Sequence, residues 1–113
     1  MPTLLISFRI DTDATYSDRW NSVMEAIRSL ARDRYTYEEM TSLVIMNSMH
    51  SADQVASWIY YHSKMNITGD KLLVIDLDSK KYAVQGAVLQ RDRLQDIMSG
   101  GTNALATILG AMR

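Results

Sequence analysis

Cysteine is absent from this 113-residue chain. Its absence removes disulfides, thiolate metal sites and cysteine nucleophiles together, and fits a reducing compartment such as the cytoplasm. Proline and phenylalanine each occur once, and the five glycines nowhere take the spacing of a phosphate-binding loop. No apolar run approaches the roughly 20 residues that a membrane span needs. The first residues also lack the basic-then-apolar layout of a secretory leader. The expectation is a soluble, cytoplasmic protein with no membrane partner. Charge of one sign is lacking too: twelve Lys and Arg meet thirteen Asp and Glu, for a formal net charge of −1. No global positive field exists to collect phosphates, so a nucleic-acid role requires a local patch or a groove shared between subunits.

What is present is apolar periodicity in short blocks. A chain of this size removes roughly two-thirds of its unfolded surface from water, enough for one domain with a real core. The most strand-like run is Lys-Leu-Leu-Val-Ile-Asp-Leu-Asp at 71–78. Turn-formers bound it at Gly69, Asp70 and Ser79, which marks a central strand with 82–88 folding back as its hairpin partner. Residues 3–10 alternate, with Leu4, Ile6, Phe8 and Ile10 on one face and Leu5, Ser7 and Arg9 on the other. Two further short strands are expected at 34–39 and 43–46.

Helical spacing appears three times. Trp20, Val23, Met24, Ile27, Leu30 and Ala31 recur at three- and four-residue steps, predicting a helix over 16–31 with Arg19, Glu25, Arg28 and Arg32 off its apolar stripe. Thr15 followed by Asp18 has the spacing of a capping box, and Ser51 followed by Gln54 repeats it. The second of these opens a helix ending near 65, whose inward stripe is read as Val55, Trp58, Ile59 and His62. A short helix at 92–99 stops at Gly100. Residues 1–99 therefore form the domain, and 100–113 a hinge and tail that is helical or loosely docked through Leu105, Ile108, Leu109 and Met112.

This order predicts an α+β fold: a ferredoxin-like βαββαβ antiparallel sheet with two helices on one face, an added C-terminal strand and a short C-terminal helix. The other sheet face would be bare and partly apolar, which calls for a second copy of the chain and hence a homodimer.

Thr-Leu-Leu-Ile-Ser-Phe at 3–8, the helix segment at 24–30, Ser-Ala-Asp-Gln-Val at 51–55 and Asp-Lys-Leu-Leu-Val-Ile-Asp at 70–76 resemble the small SinR-like proteins. Those look like relatives of the CRISPR-associated adaptation protein of the second type and of VapD-type toxins. The resemblance spans about 3–89. It implies a ferredoxin-like homodimer whose last strand, here 82–88, adds to the partner's sheet. In the nuclease members an aspartate between an aromatic and an aliphatic residue, at the end of the first strand, binds a divalent metal. The matching positions here are Phe8, Arg9 and Ile10, so arginine stands where the family has aspartate, and Asp11 is the nearest replacement.

Asp11 and Asp13 follow a strand end, an arrangement that can hold Mg²⁺ with phosphate oxygens completing its shell. The plainer reading is a solvated loop whose acids favour the next helix N-terminus. Arg9 points from a central strand and is expected either to pair with Asp11 or Asp76 or to contact phosphate. His50 and His62 lie in no nucleophile or metal pattern. Tyr35, Tyr37, Tyr60, Tyr61 and Tyr82 suit either base stacking or sheet packing. Two functions from different classes follow: a non-catalytic homodimeric interaction or adaptor module, and a Mg²⁺-dependent endonuclease or endoribonuclease using Asp11, with Asp13 beside it and Arg9 on the nucleic acid.

Overall fold

The computed structural model describes residues 1–100. The expected tail, with its apolar Leu105, Ile108, Leu109 and Met112, lies outside the described residues. Along the chain come β1 (Thr3–Arg9), α1 (Tyr16–Leu30), a 3-10 turn (Arg32–Arg34), β2 (Thr36–Met40), β3 (Leu43–Asn47), α2 (Ala52–His62), β4 (Lys71–Asp76), β5 (Tyr82–Gly86) and α3 (Arg91–Met98). The class is α+β. Five antiparallel strands form one sheet in the order β2-β3-β1-β4-β5, which places β1 and β4 inside it and leaves β2 and β5 at its edges.

Alternation fixes which face is buried. Leu4, Ile6 and Phe8 of β1, Val44 and Met46 of β3, and Leu72 and Val74 of β4 pack into one cluster with Val23, Met24 and Ile27 of α1 and Val55, Ala56 and Ile59 of α2. Burying each large aliphatic side chain is worth about 1.5–3 kcal/mol. A one-residue slip of β1 would turn Leu4, Ile6 and Phe8 outward, so the register Leu4↔Met46 and Leu4↔Asp76 is strongly specified. Both α1 and α2 therefore lie on this face.

Four local expectations need correcting. Thr15 makes no side-chain cap bond; instead Asp13 Oδ1 accepts from the Thr15 N–H and hydroxyl, each at 2.8 Å, one turn ahead of the helix. Ser51 does cap α2: it accepts from Gln54 N at 3.2 Å while the Gln54 side chain accepts from Ser51 N at 2.9 Å. Arg19 is not off the core side of α1, since it shares i+4 spacing with Val23 and Ile27 and is 5% exposed. In α2 the inward residues are Ala52, Val55, Ala56 and Ile59, while Trp58 is 40% exposed and His62 lies outside with it. The small residues Ala52 and Ala56 complete the stripe because they let α2 approach the sheet. The helix also ends earlier than expected, at His62, and buried Met65 packs from the loop beyond it.

The ends of α1 and β2 are tied by a fork. Arg28 Nε and NH2 donate to the two carboxylate oxygens of Glu38 at 3.0 and 2.7 Å. This guanidinium, with the Thr36 hydroxyl beside it, holds the Glu38 carboxyl at about 2, down from 4.5. Because the folded value is depressed, the pair's contribution is present above pH 4.5 and fades as pH falls towards 2. Glu38→Gln should lower stability by about 1 kcal/mol near neutrality, as partly exposed bidentate pairs do. Urea midpoints of the two proteins should draw together as pH falls from 4.5 and converge only below about 2; a gap that stays constant with pH would show that the charge is not what matters.

Candidate functional site

Three places bear on function: the end of β1, the uncovered sheet face, and the outer side of α2. At the end of β1 the chain turns through Ile10, which is buried, into Asp11, which is exposed. Beneath this turn sits Asp70, fully buried at 0% exposure. Its Oδ1 accepts from Asp11 N–H at 2.9 Å and its Oδ2 from Asn66 N–H at 2.7 Å, so one carboxylate binds the exit of β1 to the loop that enters β4. Burying such a charge is unfavourable without a cation nearby. Arg19 supplies it, with NH2 3.6 Å from Asp70 Oδ1, 3.4 Å from Asp13 Oδ2 and 2.6 Å from the Asp11 carbonyl oxygen. The Thr15 hydroxyl and N–H, reinforced by Arg19, hold the Asp13 carboxyl below its ordinary value.

These residues do not fit Mg²⁺. Asp70 already takes two N–H donors, Asp13 is engaged by Thr15 and Arg19, and the guanidinium stands where a divalent ion would have to draw the acids together. Asp11 turns its carboxylate against Gly69, where an added Cβ would collide with it. Among the described residues no three His, Asp or Glu side chains are grouped to hold a metal ion. The sequence-level pair of Asp11 and Asp13 is thus adjacent but divergent, and its strongest neighbour is a buried arginine.

Arg9 also differs from expectation. Its strand partner is Lys71, and among the described residues it makes no ion pair with Asp11, Asp76 or any other acid. Asp76 is occupied at the other end of β4, where its carboxylate accepts from the N–H groups of Ser79 and Asp78 and is held below its ordinary value chiefly by the first. Two like charges opposite one another destabilise a strand pair. Exposed Arg9 and half-buried Lys71 thus leave one end of the uncovered face positive.

The rest of that face is apolar. Leu5 lies between Ile45 and Ile75, Ser7 between Leu43 and Leu73, and the rows continue to Tyr37 on β2 and to Tyr82 and Val84 on β5. All these side chains are half-buried except Tyr37, which is exposed. On α2, the Trp58 and His62 rings stack at 3.7 Å with exposed Tyr61 beside them. Residue hydrophobicity alone directs Trp58 inward, so periodicity missed this surface. Asp70 and Arg19 were missed as well; the one available signal was the i+4 step from Arg19 to Val23. Compared with known proteins, the chain matches no family model, no curated protein and no solved structure, and its function is to be read from its own residues.

Proposed function

We propose that this chain is a cytoplasmic homodimeric interaction or adaptor module of ferredoxin-like βαββαβ type, extended by β5 and α3, with no catalysis of its own. What carries the reading is the uncovered sheet face. A contiguous patch led by Leu5, Ile45, Leu73 and Ile75 is overhung, among the described residues, only on its β4–β5 side by α3, whose Leu94 lines a cavity with Ser7, Leu73 and Val84, whereas the opposite face is closed by both α1 and α2. Five strands about 4.8 Å apart, each rising about 3.3 Å per residue, bound the footprint at roughly 24 by 20 Å, less the part under α3. That is on the small side of the roughly 800 Å² per partner in standard interfaces, so a micromolar dimer is the expectation. The absence of cysteine also supports the reading, as does the lack, among the described residues, of three His, Asp or Glu side chains grouped to hold a metal ion.

Sedimentation equilibrium over a range of concentrations should give a species of twice 12.8 kDa. Ile75→Lys, at a half-buried position on this face, should return it to the monomer with the circular dichroism spectrum intact. A wild-type chain that stays monomeric at every concentration sinks the dimer.

One observation favours a second reading, the charge pair Arg9 and Lys71 with no carboxylate partner among the described residues, which suits a phosphate-bearing ligand. Labelled RNA and DNA, tried at low salt with Mg²⁺, Mn²⁺ or chelator, separate the two. Metal-dependent cleavage lost in Asp11→Ala would replace the adaptor by an endonuclease. Salt-sensitive binding lost in Arg9→Ala, without cleavage, would make the module a nucleic-acid binder.

A further inference from the structure

The two edges of the sheet are not alike. β2 is blunted by a register shift between Tyr37 and Met40 and by the acids Glu38 and Glu39. β5 shows neither device. Among the described residues it pairs with β4 alone, in unbroken register from Ile75↔Tyr82 to Lys71↔Gly86. Asp76 N–H donates to the Lys81 carbonyl at 2.8 Å and Ala87 N–H to the Asp70 carbonyl at 2.9 Å. Alternation between these ends turns the groups of Ala83 and Gln85 towards β4 and those of Tyr82 and Val84 outward. Two N–H donors and two carbonyl acceptors therefore face away from the sheet.

They face a groove of about 580 Å³ whose floor is residues 80–85. Asp53 and Ser57 of α2 form one wall, and Arg91, Gln95 and Met98 of α3 the other. The Tyr82 hydroxyl donates to the Gln95 side chain and holds α3 in place. The groove is rimmed by Lys80, Lys81 and Arg91 against Asp53, and none of these three cations makes an ion pair among the described residues.

We propose that the β5 edge is a docking site for an extended peptide segment rich in aspartate and glutamate, which adds to the sheet as a further strand. Main-chain groups give the affinity in this mode, and the rim gives the selection for acidic side chains. Other occupants fit less well. In a second copy β5 is recessed between the same two helices, so two such edges do not meet. The segment after Gly100 carries no Asp or Glu to complement the rim. Nucleic acid would satisfy the cations but leave the strand's own donors and acceptors without a matching ladder. This site adjoins the apolar face assigned to the dimer and shares Tyr82 and Val84 with it, but it uses their main-chain groups where the dimer uses side chains, and each is tested without the other.

The probe is the blocked pentapeptide Glu-Val-Glu-Val-Glu, titrated into the labelled full-length chain by NMR. The expected result is saturable shifts centred on the Tyr82 and Val84 amides, with these two amides becoming slow to exchange. Val84→Pro deletes an outward donor and no β4 ladder bond, and should abolish the shifts. Lys81→Glu combined with Arg91→Glu, both on exposed side chains, should weaken binding about tenfold. The proposal is overturned if the fully N-methylated peptide, the Lys-Val-Lys-Val-Lys peptide or a hexauridylate RNA binds as well. Tyr82 and Val84 amides already protected before any peptide is added would likewise overturn it, because another strand would occupy the edge.

Discussion

Asp70→Ala is expected to destabilise the protein by about 3–5 kcal/mol, the loss typical of a buried ion pair deprived of one partner. The physical reason is what remains behind. Arg19 is 5% exposed, and among the described residues its Nε has no hydrogen-bond partner and Asp70 is the only fully buried acid facing it. Two main-chain donors, Asp11 N–H and Asn66 N–H, would lose their acceptor at the same time. Total stabilities are about 5–15 kcal/mol, so this single change takes a large share. Urea unfolding should show a midpoint moved far to lower concentration with an unchanged slope. Arg19→Met in the same background should recover part of the loss, because it removes the stranded charge and keeps an apolar stem. Asp13→Ala should do little by comparison, since Asp13 is half exposed at 51% and its attraction to Arg19 is screened by water. A loss below about 1 kcal/mol for Asp70→Ala would mean that water reaches Arg19 and that the buried pair is not what joins β1 to β4.

That pair shows where sequence reading stops. The alternation in 3–10 exposed the sheet's buried face directly, because period two with a single apolar side has one satisfactory packing. Ser51 and Gln54 announced α2 because a capping box is local, its two bonds closing within four residues. Asp70 carries no such signal. Its partners Asp11 and Arg19 come from β1's exit and from α1, and only the folded sheet brings them beneath one turn. Arg19 falls off the apolar stripe when only apolar residues are counted, although its spacing from Val23 and Ile27 sets it on the core side. Trp58 failed in the opposite direction: Ala52 and Ala56 fill the stripe that its bulk would have prevented from closing. The candidate metal pair at Asp11 and Asp13 was legible as composition, but the direction of each carboxylate depends on Gly69, Thr15 and Arg19. Likewise the placement of Arg9 opposite another cation, Lys71, became visible only once the register was set.

Gly86→Ala is expected to be about as damaging as the loss of Asp70, at roughly 3 kcal/mol or more, through two effects that add. Gly86 has φ +88, a backbone conformation that L side chains adopt at a penalty of about 1–2 kcal/mol. An added Cβ would also run into the main-chain carbonyl of Asp70, which accepts from Ala87 N–H at 2.9 Å and cannot retreat without breaking that bond. β5 would be forced away from β4 at the point where the hairpin ends. Gly69→Ala supplies the control. The atoms nearest its Cβ all belong to the Asp11 side chain, which is exposed, so the loss should stay within about 1 kcal/mol. Thermal unfolding of the two alanine variants should therefore separate them clearly. Gly86→Asn divides the two effects, because asparagine tolerates positive φ but carries the same Cβ. If Asn is as damaging as Ala, the collision with Asp70 dominates; if it restores most of the stability, the backbone angle does. Equal and mild effects at 69 and 86 would show that β5 is not clamped to the carbonyl above Asp70, and the fixed edge required for strand addition would go with it.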